Sequence, residues 1–85
     1  MVRVLAIVSD ASEPEAVEFG GRFADEAAAL AVVRAAQAQG LIVREPEGVT
    51  VIPGAKIVRF LLAPDGGDFP AWSGRRTARR RAVPA

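Results

Sequence analysis

The stretch DEAAALAVVRAAQAQGLIVREPEGVTVI, residues 25–52, decides the fold class. Its first half reads as a helix from Asp25 to Gln39. Asp25 can cap the amino end: its carboxylate accepts from backbone N–H groups that have no partner within the helix. It also sits at the positive end of the dipole, where Glu26 adds to the effect. Gly40 suits the positive φ that closes a helix, and Leu41 can make the apolar contact that often follows. Ala29, Leu30, Val33 and Ala36 share one broad face, flanked by Arg34 and Gln37. The alanines favour helix and let a sheet approach closely. The second half reads as a hairpin. Leu41 to Glu45 and Gly48 to Ile52 are its arms. The link Glu45-Pro46-Glu47-Gly48 has proline where a turn wants its fixed φ and glycine where a positive φ is needed.

Working outward, Met1 to Ser9 reads as a central strand. Val2, Val4, Ala6 and Val8 point one way and Arg3, Leu5 and Ile7 the other, so both faces are largely apolar. Asp10 to Pro14 is a loop. Glu15 to Phe19 alternates as a short strand that can close a hairpin with the first, and Gly20-Gly21 then breaks the chain. Pro53-Gly54-Ala55 makes a bend. Lys56 to Leu62 is a last strand, with Val58, Phe60 and Leu62 on one face and Ile57, Arg59 and Leu61 on the other. The expected fold is therefore α+β: a small, mostly antiparallel sheet in the order β-(β)-α-β-β-β, with one Ala-rich helix on one face. Residues 1–63 form the domain. Residues 64–74 are a Gly/Pro/aromatic linker, and residues 75–85 are expected to be a flexible, disordered basic tail.

A helix of about 15 residues is roughly 22 Å long and 10–12 Å wide. It covers one side of such a sheet and no more. Leu5 and Ile7 on the first strand, and Ile57 and Leu61 on the last, are left on the other side. Burying each is worth about 1.5–3 kcal/mol, and a monomer rarely leaves such a patch wet. Three covers are available: the sheet can curl into a partial barrel, Phe69 and Trp72 can fold back across it, or a second chain can dock.

The 85 residues allow one core, and 51% hydrophobic content is ample for it. The formal charge of +1 hides a division. Five arginines, Arg75, Arg76, Arg79, Arg80 and Arg81, stand in a C-terminal segment without acids. The rest of the chain has six Lys/Arg against ten Asp/Glu. Arginine forks match phosphate oxygens in pairs, so the segment fits DNA or RNA phosphates with steep salt dependence. It also fits an acidic protein, a membrane surface or an idle solubilising end. The acids Asp10, Glu13, Glu15 and Glu18 form a cluster without the spacing of a calcium loop. That cluster can also hold the chain's own arginines by charge.

There is no histidine, cysteine or tyrosine, which removes the usual acid–base groups near neutral pH, thiol chemistry and zinc ribbons. Ser9, Ser12 and Ser73 have no histidine to activate them. Lys56, the only lysine, could in principle form a Schiff base, but its place at a strand start fits a solvated lysine. No phosphate-binding glycine pattern is present. No cofactor and no metal site is expected. No apolar run approaches the roughly 20 residues that cross a bilayer, and the default expectation is a cytoplasmic protein.

These readings converge on a non-enzymatic small accessory protein, of a size and Ala/Val/Arg-rich composition common in actinobacteria and their phages. It would act as a protein interaction module, docking on itself as a homodimer or on another protein through Leu5, Ile7, Ile57, Leu61, Phe69 and Trp72. The alternative is a nucleic-acid-associated protein that contacts phosphates through Arg75 to Arg81.

Overall fold

The computed structural model describes residues 1–9, 14–67, 69 and 75–85, and for 75–80 it describes the backbone alone. Among the described residues, six strands and one α-helix follow in the order β1 (Val2–Val8), β2 (Glu15–Phe19), α1 (Glu26–Gln39), β3 (Leu41–Glu45), β4 (Gly48–Ile52), β5 (Ile57–Pro64) and β6 (Arg75–Pro84), with a 3-10 turn at Gly54–Lys56. The fold is a small α+β unit with a mostly antiparallel sheet. Asp25 caps α1, accepting a hydrogen bond from the Ala28 N–H at 2.9 Å. At the other end Gly40 takes φ +84° and donates its N–H to Ala36 O at 2.7 Å.

The strand order is β4-β3-β6-β2-β1-β5. All neighbours are antiparallel except β2 and β6, which run parallel. This sheet cannot be flat. Five strand spacings of about 4.8 Å would hold the β4 and β5 edges roughly 24 Å apart. The chain from Ile52 to Ile57, which joins those two edges, reaches at most about 18 Å when fully extended, and here it folds through the 3-10 turn. The sheet therefore rolls toward the helix, so that the end of β4 and the start of β5 both come to the 3-10 turn beside α1. Gly54 lies against the last helical turn so closely that a Cβ on it would stand 2.3 Å from Gln37 O. On the other side, Lys56 O accepts from Ser9 N–H at 2.8 Å. The nearly equal principal extents of 30, 26 and 24 Å match a rolled sheet and not a slab. β4 and β5 are not paired with each other, so the roll stays open.

The inner face and the helix share one core: Val4, Ala6, Val8, Val17, Phe19, Leu41, Val43, Ile52 and Ala82 meet Ala29, Val33 and Ala36. Phe19 is its aromatic centre, edge-to-face with Phe23 at 6.4 Å and with Phe60 at 6.1 Å, a geometry that adds to area burial.

Two expectations are corrected. First, residues 75–84 are a strand and not a disordered tail. β6 sits between β3 and β2 and joins the β4–β3 hairpin to the β2–β1–β5 meander. Its register sets Arg75 opposite Glu15 and Arg81 opposite Glu18. The acidic second strand thus stands beside the arginine-rich last one. Second, Ile57 lies on the helix side. A bulge between Ile7 and Val8 pairs Val8 with Ile57. One extra residue in a ladder reverses which side the neighbouring side chains take. Ile57 therefore packs against the inner core, while Val58 is exposed.

Candidate protein interface

The outer face can be read along one register line through all six strands: Val49, Arg44, Arg81, Glu18, Leu5 and Leu61 are successive neighbours. Its two halves differ in kind.

On the β1–β5 half the apolar side chains are covered. Leu5 is 1% exposed, Ile7 2% and Phe69 5%, and with Ala16 and Ala63 they form a second core on which Leu61 packs. Phe69 comes from the connection between β5 and β6, which leaves the sheet edge and must cross to its middle. Arg3 fastens this connection. Its Nη1 donates to Gly67 O at 2.8 Å, and its guanidinium lies 4.9 Å from the centre of the Phe69 ring. Its Nε and Nη2 donate to the two carboxylate oxygens of Glu18 at 3.1 and 3.0 Å. Such a fork-on-fork pair is geometrically specific, and both partners are largely buried. A further tie closes the start of the connection. Asp65 N–H donates to Met1 O, and the Asp65 carboxylate pairs with Arg22. The hydrogen bond from Arg22 holds the Asp65 carboxyl below its ordinary pKa.

On the β4–β3–β6 half the described apolar side chains are left more open. Val51, Ile42 and Val83 stand side by side across three strands. Val51 is 62% exposed, Val49 56% and Val83 45%, and Ile42 is half-buried. Around the end of β6 this patch runs into a shallow groove lined by Phe19, Gly20, Gly21, Phe23, Val32 and Val83. Arg44 and Arg81 are adjacent on its other side.

The expected interface residues thus separate. Leu5, Ile7, Leu61 and Phe69 come together, but as the chain's own second core. Ile57 faces the helix side. Trp72 lies outside the described residues, and Arg75, Arg76, Arg79 and Arg80 are described in backbone only. Arg81 is exposed beside Glu18 and Arg44. Lys56 is exposed at the end of the 3-10 turn. Of the acidic cluster, Glu15 and Glu18 lie on β2, while Asp10 and Glu13 fall outside the described residues. Among the described residues no three or more acids come together in a way that could hold a metal ion. No described helix is long and apolar enough to cross a membrane. Sequence reasoning missed Arg3 as the clasp and Ile42, Val49, Val51 and Val83 as the bare patch. The signal for Arg3 was its place in one stripe with Leu5 and Ile7, where a charge must find a partner. The valines gave none, because whether a hairpin arm is covered depends on its neighbours in the sheet.

Comparison with known proteins finds no significant match to a family model, a curated protein or a solved structure.

Proposed function

We infer that this protein is a non-enzymatic interaction module that binds protein through the outer face of β4, β3 and β6. One observation carries the reading. The chain uses a connection, an aromatic side chain and an arginine clasp to cover one half of the outer face, yet leaves Val49, Val51 and Val83 exposed around a half-buried Ile42 on the other half. Contiguous apolar patches with polar rims are where soluble chains meet partners. The absence of histidine, cysteine and tyrosine from the sequence accords with a binding role. A photoreactive benzophenone side chain at Val51 or Val83 should crosslink to a discrete protein species in cells, and the same group at Arg34 on the exposed side of α1 should not. Identical patterns at all three positions would end this reading.

A second reading, contact with nucleic-acid phosphates, draws on the adjacency of Arg44 and Arg81 at the end of the arginine-rich strand. Deleting residues 75–85 is a poor test of it, because β6 is a central strand. Arg44→Gln with Arg81→Gln keeps the backbone. Under this reading the pair lowers the slope of oligonucleotide retention against log salt by roughly two phosphate contacts. An unchanged slope, or no retention by the parent chain, excludes it.

A further inference from the structure

The bare patch borders an open sheet edge, and the hydrogen-bond parity of that edge specifies what can pair with it. Ala85 N–H donates to Gly40 O at 3.0 Å. This makes Leu41 and Pro84 a pair that exchanges no hydrogen bonds with each other across the β3–β6 ladder. The main-chain groups of Leu41, and by alternation of Val43, therefore turn toward β4, where they meet Ile52 and Thr50. It follows that the N–H and C=O groups of Val49 and Val51 point away from β3, out of the open side of β4. No described strand pairs there.

The two sheet edges are built differently. β5 carries the devices that discourage edge pairing: a bulge at its start, Arg59 within it, Lys56 before it and Pro64 at its end. β4 reads Gly48-Val49-Thr50-Val51-Ile52, without a charge, a bulge or a proline inside it. Its centre, Val49-Thr50-Val51, is the same in both directions.

We propose that β4 pairs antiparallel with β4 of a second copy of this chain, about a two-fold axis at Thr50. This rests on the interaction reading above and names its partner. In that register Val49 faces Val51 of the other copy, and both residues have outward main-chain groups. Each such pair exchanges two hydrogen bonds, and symmetry makes four. Thr50 faces its own copy, a pairing that threonine side chains favour. The two outer patches become neighbours across the axis, with valine beside valine. The acidic hairpin tip of each copy, Glu45 and Glu47, comes to the end of the other strand that leads into the exposed Lys56, so the flanking charges are complementary. A two-fold contact must use one surface for both copies, and this strand matches itself in side chains, in hydrogen-bond parity and in charge.

Sedimentation of the purified full chain over a wide concentration range tests this. The parent chain sediments as a dimer. Val51→Pro removes an outward donor without touching the β3 ladder, since proline is tolerated where the N–H faces out of a sheet. It weakens dimerisation at least about tenfold, from two lost hydrogen bonds per dimer. Val49→Lys, a change at an exposed side chain that the fold does not need, weakens it as well. Amide exchange at Val49 and Val51 is slow at high concentration and fast at low. A chain that is monomeric at every concentration overturns the homodimer, and the crosslinking experiment still decides the wider reading. A dimer indifferent to both variants places the contact elsewhere and overturns the proposal too.

Discussion

Removing residues 75–85 should unfold this protein, although they look like a dispensable basic end. β6 makes four registered pairs with β2 and four with β3. At about one ladder hydrogen bond per pair and about 0.5–1.5 kcal/mol net for each, their loss costs roughly 4–12 kcal/mol. Ala82, fully buried in the core, is lost with them. Against this stands a total stability of about 4–13 kcal/mol for a chain of this length. What is left is a β4–β3 hairpin and a β2–β1–β5 meander with no strand between them. A two-stranded hairpin is marginal by itself, and the gap opens the side of the core that holds Phe19 and Val43. Circular dichroism melts of residues 1–74 and of the full chain give the answer. The truncated chain should lack a cooperative transition or melt far lower. A cooperative melt within about 5 °C of the full chain, or roughly 1 kcal/mol at this size, would refute the central placement of β6 and restore the free tail.

Two further outcomes follow from packing. Phe69→Ala strips the cover from Leu5 and Ile7; it should cost about 3–5 kcal/mol in urea unfolding and raise binding of an apolar dye, whereas a loss under about 1 kcal/mol would mean that Phe69 is not the cover. Gly40→Ala should cost about 1–3 kcal/mol, because the position has φ +84° and the new Cβ would stand 2.4 Å from Ile52 O; Gly21→Ala, with open space around it, is the comparison and should stay within about 0.5 kcal/mol.

The correct part of the sequence reading was local. Asp25 and Gly40 bound a helix because caps are chemistry between near neighbours. Pro46 and Gly48 turn a hairpin for the same reason. Alternation along Val2–Val8 and Glu15–Phe19 showed two faces and a central first strand. The shortage of cover over Leu5 and Ile7 was also legible, since it needs only a count of apolar side chains against the width of one helix. The foldback of Phe69 that relieves it was one of the three covers available. Side assignment failed at Ile57, because a single bulge opposite Val8 reverses parity and leaves no mark in composition.

Linear order and side-chain type thus determined the elements, their caps and the need for a lid. Only the tertiary structure decided that an arginine-rich end becomes the middle strand. β6 has little apolar pattern of its own to show, because its place is held by backbone pairing on both sides, with β3 and with β2. The same insertion decided which half of the outer face is covered and which stays open at β4. Both outcomes belong to residues distant in sequence, and no local propensity encodes them.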